Sequence, residues 1–329
     1  MGDSGELISD VGEFGLIARI DAALQGHTAG GVHVGIGDDA AVVSVSETRI
    51  VVSTDMLVEG RHFRRDWSSG QDVGAKAAAQ NLIDIAVMGA RATTMVVALG
   101  LPADLPVDWV TDFYAGLRGE AHDRGVAIVG GDVVRSDRVV ISVTAIGELT
   151  GPQAVRRSGA QPGDVVAVAG RLGWAAAGLS ILSRGFRTPR ALVDAHRRPE
   201  PPYAAAAAAA SAGATSMIDV SDGLVADVGH IARASGVAIA LDPALLEVGE
   251  PVAAAAAAFN ADPLVWLLTG GEDHAVVATF AADAALPEGF TVIGSVGDGD
   301  LDDGLEAPGV TVGGKVPRGS GGHDHFSSS

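Results

Sequence analysis

The chain has 329 residues, 47% of them apolar, and carries 41 acidic against 22 Lys and Arg side chains, a formal net charge of −19. That balance excludes a nucleic-acid surface, which needs clustered Lys and Arg against phosphates; the length and apolar content suit two ordinary cores. The absence of cysteine excludes disulfides, thiolate metal sites and cysteine nucleophiles together.

Met1 to Asp10 is polar and acidic rather than basic and then apolar, and apolar runs such as 203–212 fall far short of the ~20 residues that span a bilayer. The expectation is a cytoplasmic protein with no membrane partner. Residues 11–25 place Phe14, Ile17, Ile20 and Leu24 at helical spacing. A Gly-rich link then leads into Val34-Gly35-Ile36-Gly37-Asp38-Asp39-Ala40-Ala41, two adjacent carboxylates behind a Gly-x-Gly turn. Adjacent acids repel unless they face water or a cation. Alone, the stretch reads as a solvated loop; what argues for more is that its pattern recurs.

Residues 40–45 and 50–58 read as strands, the second ending on Ser53-Thr54-Asp55 and a loop in which His62 is either a substrate hydrogen-bond donor or a surface residue. Residues 72–88 predict a helix with Asp72 as its N-cap and Gly89 beyond its end. Asn81 and Asp84 share one face of it, so Asp84 is a surface edge or a buried group with a partner. A strand at 93–101 and a helix at 106–125 follow, then a strand at 126–132 that finishes on Gly130-Gly131-Asp132, and another at 139–149. Thr150-Gly151-Pro152 marks the boundary between expected domains 1–150 and 151–329. The second half offers an Arg157-bearing loop, a strand at 165–169, a helix near 174–182 and an alanine-rich helix at 204–212 without chemistry of its own. Met217 to Leu224 reads as a strand entering a helix that Ser221 or Asp222 can cap. Residues 264–269 lead into Gly270-Gly271-Glu272-Asp273.

Five apolar segments are thus expected to end in acid-bearing loops, at Asp38/Asp39, Asp55, Asp132, Asp219/Asp222 and Glu272/Asp273, with Asp84 as a sixth position. Carboxylates at strand ends converge at one sheet edge, where ligands bind. Lys76 and Lys315 are the only lysines and neither lies in these loops, so the acids call for hard cations. Oxygen-only ligands suit Mg²⁺ better than zinc, and Mg²⁺ so held shares its shell with substrate phosphates, which points to ATP. No P-loop and no protein-kinase catalytic loop occurs. Phosphoryl transfer would then lean on metal ions, Arg157 and backbone N–H groups. Ser53 and Ser221 have neither a His in their motifs nor a nucleophile elbow, so covalent catalysis has no support.

Taken in order, GIGDDAA (35–41), STDMLVEGRHF (53–63), NLIDIAVMGA (81–90), GGD (130–132), RSGAQPGD (157–164), IDVSDGL (218–224), GGEDH (270–274) and DHF (324–326) resemble the thiamine-monophosphate kinases. That family sits in the superfamily of aminoimidazole ribonucleotide synthetase and selenophosphate synthetase. The resemblance implies an α+β fold of two α/β-layered domains, an N-terminal sheet domain that dimerises and a mixed C-terminal one. It implies phosphorylation of thiamine monophosphate by ATP and several Mg²⁺ ions, through direct transfer, in a homodimer whose N-terminal sheets pack together near the ATP site. It assigns Asp38, Ser53, Thr54, Asp55, Asp84, Asp132, Asp219 and Asp222 to metal, with Asp132, Asp55 and Asp219 central to catalysis. Gly131, Asp132, Arg157 and Ser221 would meet the nucleotide, and His62, Glu272 and His323 the acceptor. Of the opening pair, Asp38 is the expected ligand and Asp39 its support.

Two residues depart from the family pattern. His323 stands where relatives carry an aromatic residue, and His274 where they carry tyrosine. Aminoimidazole ribonucleotide synthetase and a non-catalytic nucleotide-binding regulator are the competing readings. The selenophosphate and hydrogenase-maturation relatives rely on a cysteine that is missing here.

Overall fold

The computed structural model describes residues 32–34, 38–39, 41–45, 48–298, 300–301, 305–306, 308–317 and 322. The helix expected at 11–25, Gly35 to Gly37 and the C-terminal His323 lie outside the described residues.

The first sheet comprises β1 (Val32–Val34), β2 (Ala41–Val45), β3 (Thr48–Val58), β4 (Ala90–Leu101), β5 (Ala127–Arg135) and β6 (Val140–Leu149), in the order β1-β2-β3-β6-β4-β5. Only the β4–β5 pair is parallel. Strand alternation buries Val51 and Leu57, Met95, Val97 and Leu99, and Ile141, Val143 and Ala145 on one face. Helices α1 (Gly70–Val87) and α2 (Val107–His122) cover that face. Residues opposite one another across strands share a face, so the row Met56, Ser142, Ala98, Asp132 lies on the open side.

The second sheet runs β14-β9-β11-β7-β10-β8. Its strands are β7 (Val165–Ala169), β8 (Ser216–Asp219), β9 (Ala238–Leu241), β10 (Val276–Phe280), β11 (Phe290–Gly297) and β14 (Gly309–Val312), while β12 (Asp300–Leu301) and β13 (Leu305–Glu306) form a ribbon apart. Its larger core is shared with α3 (Trp174–Ser183), α4 (Arg190–Arg197), α6 (Leu224–Ser235), α7 (Glu250–Phe259) and α8 (Pro263–Thr269). The opposite face packs on α5 (Tyr203–Ser211), whose Ala206 and Ala209 are buried. The alanine run that carries no chemistry is therefore a thin spacer. Among the described residues, no single helix is long and apolar enough to cross a membrane.

α1 joins the two halves. Val73, Ala77, Ile85 and Met88 enter the first core, while Ile83 and Val87 pack with Ala206, Met217, Val276 and Phe280 of the second. A helix buried on both sides is apolar nearly all round. Besides Asp72 in its first turn and Asn81, it carries a polar stripe at i, i+4 and i+8, namely Lys76, Gln80 and Asp84. Close approach of α2 fixes α1 in place: a Cβ on Gly74 would sit 1.9 Å from the Phe113 carbonyl oxygen.

Several expectations need correcting. Ser69, not Asp72, caps α1; Asp72 completes a capping box three residues on, its Oδ2 accepting the Ser69 N–H at 2.9 Å. Asp55 and Asp132 are not at strand ends, because β3 continues to Val58 and β5 to Arg135. Residues 263–269 are a helix. Neither Ser221 nor Asp222 caps α6: Gly223 is its N-cap, and the Asp227 carboxylate turns back to accept the Asp222 and Gly223 N–H groups, each at 3.0 Å.

Candidate active site

A cleft of about 1140 Å³ opens between the two sheets and draws its walls from both halves of the chain. At one end β3, α1 and β8 converge. β3 turns Ser53 toward α1, where its hydroxyl donates to Asp84 Oδ2 at 2.6 Å, with the Asp39 carbonyl oxygen 3.2 Å away. Asn81 accepts the Asp55 N–H at 3.1 Å and donates to the Ala77 carbonyl, tying Asp55 to the same helix. β8 ends on Asp219. Asp39, Asp84 and Asp219 each place an oxygen within 4.8 Å of the others.

Three carboxylates so close cannot all be charged without compensation. Burial, then Asp55, Asp219 and Asp39, raise the Asp84 pKa well above its ordinary value. Burial pushes Asp39 up to about 7, with Asp219 and Asp38 adding to it against the pull of Arg157. Burial works against the Arg157 guanidinium too, but Asp39, Asp38 and Asp219 outweigh it and hold it charged. Arg157 pairs with Asp39 Oδ1, and its backbone N–H reaches Asp38 Oδ2 at 3.3 Å. Asp39 Oδ2 is buried and has no hydrogen-bond partner among the described residues. A buried carboxylate oxygen without a donor, inside an all-oxygen set, fits a hard divalent cation.

The expected division of the opening pair had Asp38 as the ligand. The geometry instead groups Asp39 with Asp84 and Asp219, and leaves Asp38 beside them against Arg157. His274 supplies a physical account of its departure from the family pattern, since its Nδ1 lies 2.8 Å from Asp219 Oδ2 and both side chains are buried. Farther along, Asp222, Asp227 and His230 also lie within 4.8 Å of one another. Burial, followed by Arg157 and Arg233, pushes His230 down to about 3, so the ring is neutral at pH 7.

Phe63, Trp67, Leu179 and Trp266 give the same cleft apolar lining, and His62 and Glu272 line it too. The Val58 N–H donates to His62 Nδ1 at 2.9 Å, which leaves the ring's proton on Nε2 as a donor. Glu272 does not stand free as the lysine-free loops suggested. Lys76 Nζ lies 2.6 Å from its Oε1 and His196 Nδ1 is 3.2 Å from its Oε2. Burial alone would raise the Glu272 pKa, but Lys76 and His196 hold it well below the usual carboxylate range. Asp273 caps α3 from a distance, accepting the Gly173 and Ala175 N–H groups at 2.6 and 2.8 Å.

Thus Asp38, Ser53, Asp55, Asp84, Asp219, Ser221, Asp222, Arg157, His62 and Glu272 all line one cleft. Thr54 is also among the lining residues, though its side chain belongs to the open face of the first sheet, where its hydroxyl donates to the Val143 carbonyl at 3.0 Å. Asp132 is exposed on that same open face, three strands from β3. Gly131 is required by the strand itself, since a Cβ there would fall 1.8 Å from the Val97 carbonyl oxygen. Neither Gly131 nor Asp132 lines the cleft of its own chain. Sequence reading missed Lys76, His196, His230 and Asp227; only Asp227 left a local signal, as an acid in the first turn of α6.

Two sheet-and-helix halves meeting over a carboxylate cleft define a class. Residues 37–149 match the family AIR synthase related protein, N-terminal domain, and residues 161–304 match AIR synthase related protein, C-terminal domain. The chain is 49% identical to thiamine-monophosphate kinase of Mycobacterium tuberculosis over 293 residues, 89% of this chain and 87% of that one. It is 39% identical to the Corynebacterium glutamicum protein of the same name, over 89% of this chain and 88% of the relative. Among solved structures it resembles AaThiL complexed with AMPPCP and TMP, with a TM-score of 0.89, 32% identity, and coverage of 98% of this chain and 100% of that one. The chain belongs to the thiamine-monophosphate kinase family.

Proposed function

We propose that this enzyme transfers the terminal phosphoryl group of ATP directly to thiamine monophosphate, giving thiamine diphosphate, with Mg²⁺ in the carboxylate end of the cleft. The observation that carries the reading is the Asp39, Asp84 and Asp219 cluster with its unpartnered buried oxygen, in a chain that shares 49% identity with a kinase of that name. Asp39, Asp84 and Asp219 would hold metal, with Asp38, Ser53, Asp55 and Asp222 beside them. Bound Mg²⁺ supplies charge neutralisation for the phosphates.

The chain's own residues do the positioning. Ser53 and His274 orient the Asp84 and Asp219 carboxylates. Arg157 keeps Asp39 and Asp38 from repelling each other. His62 offers its Nε2–H and Glu272 its partnered carboxylate toward the acceptor, and the apolar lining excludes water from its rings. The acceptor phosphate is already ionised near neutral pH, so it attacks without a general base, and the rate comes from alignment and charge stabilisation. Ser221 and Arg157 serve the nucleotide.

Asp132 and Gly131 enter this reading through a homodimer. The open sheet face, with Met56 54% and Val134 55% exposed, supports a second copy packing there. That copy is what brings the Asp132 face to a nucleotide. The site of action we propose is the cytoplasm.

The test is turnover of purified protein with ATP, Mg²⁺ and either thiamine monophosphate or formylglycinamidine ribonucleotide, with products resolved by chromatography. Thiamine diphosphate from the first acceptor and nothing from the second is the expected result. Turnover of the second alone would transfer the chain to the synthetase reading.

A further inference from the structure

Lys76 is one of two lysines in the chain, and its side chain is only 3% exposed. An ammonium group has three protons to place and costs heavily when buried without acceptors. Here each proton has one: Glu272 Oε1 at 2.6 Å, the His62 carbonyl at 3.3 Å and the His196 carbonyl at 3.3 Å. With its donors spent, Lys76 is not available to hold a phosphate.

Its partners come from three separated parts of the chain. His62 follows β3 in the first half, His196 ends α4 and Glu272 belongs to the loop after α8. That loop is held in an uncommon backbone state, with φ of 65° at Glu272 and 52° at His274. The Glu272 N–H donates to the Ser221 carbonyl at 2.8 Å, so the side chain and the backbone are pinned independently. Lys76 also stands two turns from Asp84 on the same stripe, roughly 12 Å along the helix axis. One helix therefore serves the carboxylate cluster at one end and the His62 and Glu272 wall at the other.

We propose that Lys76 is a positioning residue for the acceptor: from α1 it fixes Glu272 and the His62 loop in one arrangement across the two domains. The inference rests on the reading that the cleft phosphorylates thiamine monophosphate and that these two residues face it. Lys76 acts through them, without touching substrate.

The experiment compares KM and kcat for both substrates in wild type, Lys76→Met, Glu272→Gln and the double variant, each checked for its melting temperature. Lys76→Met is expected to raise KM for thiamine monophosphate about tenfold or more, while KM for ATP and kcat stay within about threefold. The double variant should be no worse than Glu272→Gln alone, because the lysine acts through the glutamate. A pH profile adds a second readout. The charged groups around His196 are Lys76, Glu272 and Arg197. Burial and Lys76 hold the His196 pKa below the ordinary imidazole range, and burial persists once Lys76 is gone; the imidazolium then becomes the remaining cation on Glu272, so KM of Lys76→Met should improve as pH falls through the acid range. Wild type should show no such gain.

Lys76→Met leaves the half-buried Glu272 carboxylate without its main cation and can weaken the fold; the double variant removes both charges and keeps the comparison readable. Equal losses for ATP and thiamine monophosphate, multiplying effects in the double variant, or an unchanged acceptor KM would each overturn the proposal. If wild type itself made no thiamine diphosphate, the functional reading would fail; if it did and Lys76→Met kept its KM, this inference alone would fail.

Discussion

At the scale of single residues, the cleft places repulsion where a cation is wanted. Asp39 and Asp84 are both raised above their ordinary pKa of 3.8, Asp39 to about 7. A carboxyl whose pKa rises on folding contributes its full stability below the unfolded value and loses it as pH climbs through the folded one. In chelator, the melting temperature is therefore expected to fall between about pH 4 and pH 7 on account of Asp39, with Asp84 acting in the same direction. Added Mg²⁺ or Mn²⁺ should restore it at pH 7.5, because the cation replaces the proton. A melting temperature in chelator that ignores pH, and that neither cation moves, would contradict the assignment. Asp84→Asn extends the same logic. It keeps an acceptor for Ser53 and removes one charge, so melting in chelator should rise by a few degrees while turnover drops at least ~100-fold. A variant that loses stability in chelator would show that the carboxylate is structural.

α1 is the element that decides where everything sits. Its pairing with α2 depends on backbone contact, and a Cβ at Gly74 would meet the Phe113 oxygen at 1.9 Å and the Leu117 nitrogen at 2.8 Å. Gly74→Ala is expected to cost about 1–3 kcal/mol and to lower activity with it, by shifting the Lys76, Gln80 and Asp84 stripe. Gly119 on α2 has nothing within 4 Å of its missing Cβ, so Gly119→Ala should be neutral or stabilise by up to about 1 kcal/mol. Denaturant midpoints of the two variants check the pair, and equal effects would remove the close-packing argument. Much of this element was legible in the sequence, because a helix-long apolar run with Asn81 and Asp84 three apart on one face is a local pattern. Its first turn was misread by three residues, since Ser69 and Asp72 cap each other and the acid alone drew attention. Lys76 could not be assigned a partner in advance, because Glu272 meets it only through tertiary packing.

For the whole molecule, length and apolar content indicated two cores, and the recurring acidic motifs indicated a shared ligand site, because glycine and aspartate pairs mark turns and ligand loops locally. Which acids meet was not legible. Asp55 and Asp132 looked alike as strand-end acids, yet β3 turns Asp55 toward the helices while β5 leaves Asp132 exposed on the open face. Asp132 therefore carries a prediction about assembly. Asp132→Asn should cut turnover by orders of magnitude without moving the melting temperature, and Val134→Glu on the same face should yield monomers by sedimentation with activity lost. Full activity in a Val134→Glu monomer would remove the dimer from the account.

Transfer of the phosphoryl group from ATP to thiamine monophosphate in one step, as proposed above, leaves no phosphoenzyme. Rapid-quench single turnover with γ-labelled ATP, Mg²⁺ and excess enzyme measures this directly. Label is expected to pass into thiamine diphosphate at the rate ATP is lost, with none held on the protein at any time. Label accumulating on the protein before product, or ATP consumed with no labelled thiamine diphosphate, would contradict it.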